Sequence, residues 1–338
     1  MNILAVESSC DETAVAIVRD GREVLCDCIA SQVDLHRIYG GVVPEIASRK
    51  HIEAIYGLAD QALAQTGLSR GDIDAVAVTY APGLIGAVLV GVNFAKAAAL
   101  ALDKPLIPVH HIRGHIAANY LAYPELEPPF LCLVVSGGHT MIVDVQDYTK
   151  MEILGTTLDD AAGECFDKVG RVLGMPYPGG SAVDKAAQLG DETKYNLPRS
   201  KPGANPYDMS FSGLKTASLN LIHHAEQVGE ELDIPSLCAS FTAAVSDTLV
   251  PRVEQALIQT GRKKLAVAGG VAANSRIRRD MTAMAQRLGV SVYMPPLKLC
   301  GDNGAMIGAQ AYYEFMAGNT ADMSLNAYAT KSILGEAL

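Results

Sequence analysis

Ile3-Leu-Ala-Val-Glu-Ser-Ser-Cys-Asp-Glu-Thr-Ala-Val-Ala-Ile-Val18 and Leu131-Cys-Leu-Val-Val-Ser-Gly-Gly-His-Thr-Met-Ile-Val-Asp-Val145 carry one pattern twice. Each begins with an apolar strand, breaks at a short polar or glycine turn, and resumes as a second strand. Asp20-Gly21 and Gln146-Asp147 then make tight turns into third strands at residues 23–30 and 150–156. Further strands are expected at 75–80, 104–109, 264–268 and 291–294. Helices are expected at 44–65, 84–102, around 160–169, and at 236–260, 273–288 and 302–316. A β-unit repeated at a spacing of about 130 residues, each copy followed by helices and strands, describes a duplicated α/β domain. The expectation is two lobes around a cleft: residues 1–125, residues 126–305, and a C-terminal helix and tail at 306–338 packing back on the first lobe. Residues 174–180 and 196–212 are rich in Pro, Gly and Asn and read as long functional loops.

Bulk properties narrow the function. The 338 residues are 49% hydrophobic and 19% charged, which supports a large core and excludes disorder. A net charge of −10 argues against an autonomous nucleic-acid binder, so an RNA partner needs local patches or another subunit. The seven cysteines are odd in number and form no C-x-x-C, so neither a disulfide framework nor a zinc ribbon is expected. They fit small buried residues in a reducing cytoplasm. Glu7 interrupts the apolar run that a signal peptide would need. The longest apolar stretch, residues 84–102, contains Asn93 and Lys96 and reads as a buried core helix.

The chemistry centres on His110-His-Ile-Arg-Gly-His115. His111 and His115, four apart, share one helix face, and two neutral imidazoles at that spacing can hold one metal ion. Two buried, hydrogen-bonded histidines fit the same spacing. Ile112 and Arg113 stand where a zinc-protease helix carries its Glu, which disfavours a metallopeptidase. Asp302 reads either as the N-cap of the last helix or as a third ligand, which would complete a two-His, one-carboxylate set. Three turns lie at strand ends: residues 7–13, the Ser136-Gly-Gly-His-Thr140 turn, and Gly269-Gly-Val-Ala-Ala-Asn274. Glycines there let backbone N–H groups approach an anion, although each turn alone is also ordinary turn chemistry. His139 reads equally as a loop hydrogen-bonding residue or a ligand, and His223-His224 as a solvated helix face. Arg276, Arg278 and Arg279 read either as RNA-phosphate contacts or as a solvated helix face.

With these pieces in place, the chain resembles the universal family of tRNA adenosine N6-threonylcarbamoyltransferases, bacterial branch (TsaD, formerly O-sialoglycoprotein endopeptidase). The matching motifs run in order: residues 3–13, Gly40-Gly-Val-Val-Pro-Glu-Ile-Ala-Ser-Arg49, Pro82-Gly-Leu84, residues 110–115 and Val134-Val-Ser-Gly-Gly-His-Thr140. They continue with Phe166-Asp-Lys168, Tyr177-Pro-Gly-Gly180, Phe211-Ser-Gly-Leu-Lys215, residues 269–274 and Asp302-Asn303. Arg113 departs from the pattern, since bacterial members more often carry Glu there. The resemblance implies an actin/Hsp70-like (ASKHA) ATPase fold. It implies that His111, His115 and Asp302 bind a metal, iron or sometimes zinc. It implies that Val134, Val135, Ser136, Gly137, Gly138, Asp167, Gly180, Asp184 and Asn274 bind an adenine nucleotide, threonylcarbamoyl-adenylate. The implied reaction is transfer of the threonylcarbamoyl group to N6 of the adenosine beside the anticodon of tRNA, in tRNAs reading codons that start with A. Asp11 and Glu12 of the first turn are the candidate catalytic carboxylates, Asp11 helping to remove the amine proton. Implied partners are tRNA, a related pseudo-enzyme subunit (TsaB-like) and a small ATPase (TsaE-like), with no membrane. The helix around Ile46 and Ile55 is either a pairing surface for the related subunit or a plain core helix. An ATP-hydrolysing or kinase-like enzyme and a non-catalytic scaffold are the competing readings of the same fold.

Overall fold

The computed structural model describes residues 1–201 and 203–334. Residue 202, within the expected loop 196–212, and residues 335–338 of the expected tail lie outside the described residues. The chain forms two compact units. The first comprises Met1–Pro128, Gln146–Met151 and Pro295–Leu338, and the second Pro129–Val145 and Glu152–Met294.

The first unit contains β1 (Asn2–Glu7), β2 (Glu12–Arg19), β3 (Glu23–Ser31), α1 (Val33–Arg37), α2 (Pro44–Thr66), β4 (Ala75–Ala81), α3 (Ile85–Leu102), β5 (Leu106–His110) and α4 (His111–Ala122). The second contains β6 (Phe130–Val135), β7 (Thr140–Val145), β8 (Met151–Thr156, its first residue in unit one), α5 (Ala162–Val172), α6 (Gly179–Ala187), α7 (Ser212–Val228), α8 (Ile234–Thr260), β9 (Lys264–Ala268), α9 (Ser275–Leu288) and β10 (Ser291–Tyr293). The last helix, α10 (Gly304–Met316), returns to the first unit.

The repeat is realised strand for strand. The first sheet has the order β3-β2-β1-β4-β5 and the second β8-β7-β6-β9-β10. β1 pairs antiparallel with β2 from Asn2↔Arg19 to Glu7↔Ala14, and parallel with β4. β6 repeats this, antiparallel to β7 from Phe130↔Val145 to Val135↔Thr140 and parallel to β9. Hairpins supply the antiparallel pairs and helical crossovers the parallel ones, as connection length requires.

Period-two alternation gives the first sheet two apolar faces. Leu4, Val6, Val15, Ile17, Val76 and Val78 pack with Ile55, Leu58, Val88 and Val92 of α2 and α3. Ile3, Ala5, Ala75, Ala77, Ile107 and Val109 pack on the other side with Met306, Ile307 and Ala311 of α10.

Some expectations are corrected. The 84–102 segment is not a buried core helix throughout. α3 buries only its small-residue face (Ala87, Val88, Val92, Ala95, Ala99), while Ile85, Leu89 and Leu100 are exposed. By length and composition alone α3 is apolar enough to cross a membrane, yet its buried face is spent on the sheet and α2. The 174–180 loop ends early: Pro178 occupies the N-cap of α6, and Gly179 and Gly180 form its first turn. The 273–288 helix is preceded by a 3-10 turn, Gly270–Ala273, so α9 begins at Ser275 with Asn274 as cap. The 302–316 helix likewise begins at Gly304, and its N-cap is Asn303, whose side chain accepts from Met306 N. Asp302 is thereby released from the capping role.

Candidate functional site

In the first unit β5 delivers the chain directly into α4, whose N-cap is His110. His110 Nδ1 accepts from Ile112 N at 3.3 Å, and its Nε2 lies 3.1 Å from the Lys331 carbonyl. One turn inside, the rings of His111 and His115 meet edge to face, with centroids 4.6 Å apart. Both Nε2 atoms point at a single carboxylate oxygen, Asp302 Oδ1, 3.5 Å from His111 and 3.2 Å from His115. The candidate ligand atoms of the three residues lie within 4.8 Å of one another.

The surroundings fix the direction of those lone pairs. Glu7, wholly buried at the end of β1, faces His111 Nδ1 at 3.0 Å and accepts from Thr79 Oγ1 at 2.6 Å and Ser9 N at 2.5 Å. With Nδ1–H donated to this carboxylate, His111 Nε2 is left as an electron pair facing Asp302. Among the described residues His115 Nδ1 is buried without a hydrogen-bond partner, so the polar contact of its ring is made through Nε2. Two nitrogen lone pairs and a carboxylate converging on one point repel unless a cation or proton lies between them. Burial lowers the His111 pKa, but Asp302 and Glu7 outweigh it and push it up to about 9. Burial would raise Glu7, but the charge on His111 holds it below the usual carboxylate range. The nitrogen and oxygen donors, the buried carboxylate behind one imidazole and the demand for positive charge fit a divalent metal ion.

The acidic turn follows β1. Asp11 is buried and its carbonyl accepts from Gln32 N at 2.9 Å. Burial, with Asp11 and Asp302 nearby, pushes Glu12 up to about 9, against a 3.0 Å hydrogen bond from Ser31 Oγ. That environment favours the protonated form of Glu12. Behind the turn, buried His51 joins Thr13 Oγ1 at 2.7 Å and the Cys10 carbonyl at 3.0 Å, and burial lowers its pKa.

In the second unit the Ser136 turn links β6 to β7. Val134 and Val135 are fully buried strand residues, so only their backbone is available to a ligand. Ser136 N donates to the His139 carbonyl at 2.8 Å and Ser136 Oγ accepts from His139 N at 3.2 Å. Gly137 and Gly138 are exposed, and a Cβ on either would meet nothing within 4 Å, so the turn borders open space. Gly269 closes in from β9: its φ is +94°, and a Cβ there would sit 2.5 Å from the Val135 carbonyl. Only glycine fits that approach.

Asp167 on α5 accepts from Gly180 N at 3.2 Å through Oδ1. Asp184 on α6 accepts from Ser275 N at 3.1 Å and from Ser275 Oγ at 2.8 Å. Asn274 caps α9, its Oδ1 accepting from Ile277 N at 3.1 Å. Asp167, Gly180, Asp184 and Asn274 thus tie α5, α6 and α9 together. Asp184, Ser275 and Arg276 also line a cavity of about 340 Å³. Arg276 is held by Glu192 and Asp280, Arg279 by Asp280, and Arg278 by the Ala272 and Met294 carbonyls. Arg276 and Arg278 are therefore braces within the unit, while Arg279 lies on an exposed helix face. His223, paired with Glu226, lies on an exposed helix face.

Sequence reasoning passed over Glu7 and His51 as site residues. The available signal was a carboxylate at the end of an otherwise apolar strand, a placement that burial makes unfavourable without a partner.

Comparison with known proteins gives the family. The family model for tRNA N6-adenosine threonylcarbamoyltransferase matches residues 23–309. A protein of that name from Moorella thermoacetica is 54% identical over 326 residues, covering 96% of this chain and 95% of its own. One from Clostridium perfringens is 51% identical over 325 residues, covering 96% of each. Among solved structures, T. kodakarensis HypF superposes with a TM-score of 0.63 at 14% identity, over 96% of this chain and 49% of that one. That likeness speaks to fold alone, and the architecture is the actin/Hsp70-like ATPase type. With a family match across most of the chain and half of all residues shared with full-length relatives, the chain belongs to the tRNA N6-adenosine threonylcarbamoyltransferase family.

Proposed function

We propose that the chain moves the threonylcarbamoyl group of threonylcarbamoyl-adenylate to N6 of the adenosine 3′ of the anticodon, in tRNAs reading codons that start with A. The observation that carries this reading, beside family membership, is the convergence of His111 Nε2, His115 Nε2 and Asp302 Oδ1. The donor is a mixed anhydride, so the protein needs no strong nucleophile. The N6–carbamoyl bond forms, the carbamoyl–phosphate bond breaks, and AMP leaves.

His111, His115 and Asp302 would hold a divalent cation, iron being our choice and zinc the alternative, and when bound it would supply Lewis-acid polarisation of a carbonyl. Glu7 keeps the His111 tautomer that presents Nε2. The amides of Gly137 and Gly138 orient phosphate or carboxylate oxygens, while Asp167, Gly180, Asp184 and Asn274 position the adenosine part. Adenine N6 is a weak nucleophile whose proton must depart as charge develops. Burial and its acidic neighbours favour the protonated form of Glu12, so of the two carboxylates we assign Asp11 the role of acceptor.

The reading includes partners: a related pseudo-enzyme subunit of the same fold (TsaB-like) and a small ATPase (TsaE-like), in the cytoplasm with tRNA. On α2, Ile55 faces the core, but Ile52 and Tyr56 are exposed one turn apart, and α3 exposes Ile85 and Leu89. That apolar face supports pairing with the related subunit.

The deciding experiment is transfer of labelled threonine from threonylcarbamoyl-adenylate to unmodified tRNA with partners supplied, wild type beside His111→Ala. Transfer by wild type and its loss in the variant is expected. Equal transfer by both would remove the metal site from the mechanism. No transfer by either, with an active homologue working alongside, would favour the ATPase or scaffold readings.

A further inference from the structure

The ligand triangle is built from two helices. α4 carries His111 and His115, and the segment leading into α10 carries Asp302. Its geometry therefore depends on how α10 lies across α4. In the first turn of α10 the two helices approach at Gly114, where a Cβ would sit 2.7 Å from Ile307 Cδ1. Two turns further on, Arg113 Nη1 donates to Glu314 Oε1 at 2.8 Å, both side chains being at least nine-tenths buried. Glu314 also accepts from Gln310 Nε2 at 2.8 Å and Asn319 Nδ2 at 2.6 Å. Arg113 Nε donates to the Ile333 carbonyl at 3.0 Å.

α10 is thus pinned to α4 at Asp302, Ile307 and Glu314. A slide or a rotation of α10 that opened the Glu314 contact would also carry Asp302 away from the two imidazoles. A buried ion pair contributes little net stability, but its loss leaves a bare buried charge and shifts its surroundings. Its geometry, planar and multidentate, is what guanidinium provides and ammonium does not.

We propose that Arg113 is a positioning residue for the metal centre: with Glu314 it sets the placement of α10 on α4 that brings Asp302 to His111 and His115. Arg113 touches no ligand atom and acts through the helix pair. The C-terminal segment completes the clamp, through Ile333 on Arg113 and through Lys331, whose carbonyl meets His110 and whose ammonium lies 4.7 Å from the Tyr328 ring. This inference rests on the metal reading above.

The test is cobalt(II) titration of the full-length, metal-stripped protein, following visible absorption and equilibrium dialysis at a temperature where every variant is folded by circular dichroism. Wild type is compared with Arg113→Met, Arg113→Lys and Leu58→Ala, a core variant on the opposite face of the sheet. We expect Arg113→Met to weaken cobalt affinity at least about tenfold, as loss of outer contacts typically does. Arg113→Lys should recover part of that affinity, while Leu58→Ala loses thermal stability without losing metal. If Arg113→Met does not fold, Glu314→Gln reads the same coupling. Folded Arg113→Met, or Glu314→Gln in its place, binding cobalt as tightly as wild type would overturn the positioning role alone. A wild type that takes up no cobalt would overturn the metal reading and the inference with it.

Discussion

Glu12→Gln should stabilise the protein at pH 8 and leave it nearly unchanged at pH 5. The native carboxyl is pushed up to about 9 by burial and by its acidic neighbours Asp11 and Asp302, against 4.5 for an unperturbed glutamate. Because the folded value lies above the unfolded one, its favourable contribution is complete below about pH 4.5 and is lost as pH rises toward about 9. At pH 8 the unfolded chain has released a proton that the native state keeps. At about 1.4 kcal/mol per pH unit, that difference bounds the native-state penalty at about 5 kcal/mol. The carboxyl is partly exposed and bonded to Ser31, so solvent screening reduces the expectation to about 2 kcal/mol. Glutamine keeps the shape of the protonated acid and titrates nowhere, so its stability should not fall over the same range on this account. Urea unfolding of full-length wild type and variant at both pH values measures the gap. A gap of equal size at pH 5 and pH 8 would show that Glu12 is ionised in the native state, and Asp11 would no longer be singled out as the proton acceptor.

Two further outcomes follow from geometry. Gly269→Ala must place a Cβ against the Val135 carbonyl at a φ of +94°, so thermal melting should register a loss of at least about 2 kcal/mol, with the Ser136 turn displaced. The double variant Ile52→Asp/Tyr56→Asp alters two exposed side chains, so its melting temperature should stay near wild type while co-purification with the related subunit is lost. Retained pairing would remove the α2 face from the interface.

Much of the architecture was legible because its signals are local. The strands at residues 3–6, 14–18, 131–135 and 141–145 announce themselves by apolar runs bounded by turn residues, and duplication makes each copy support the other. Local signals also misled. Tyr177-Pro-Gly-Gly180 reads as a loop, yet proline at the N-cap and glycine in the first turn are compatible with a helix start, and α6 begins there. Asp302 looked like a cap because the better cap, Asn303, is its neighbour. What lay beyond sequence reasoning depends on long-range contact. Glu7 and His111 are 104 residues apart, and Arg113 and Glu314 are 201 apart. Nothing in the local pattern of either member announces the other.

The position of α10 in the chain bears on how the protein is made. The sheet face built from Ile3, Ala5, Ala75, Ala77, Ile107 and Val109 is covered by Met306, Ile307 and Ala311, near the end of the chain. On the ribosome the first 128 residues emerge and then wait for the whole second unit before that cover exists. At about 5–20 residues per second the wait is roughly 10–35 s. The second unit, complete by Met294, can close before the first, so the half of the molecule synthesised earliest is the last to be finished. In the interval that face has only the cover that α4 lends it through Ala118, Leu121 and Ala122.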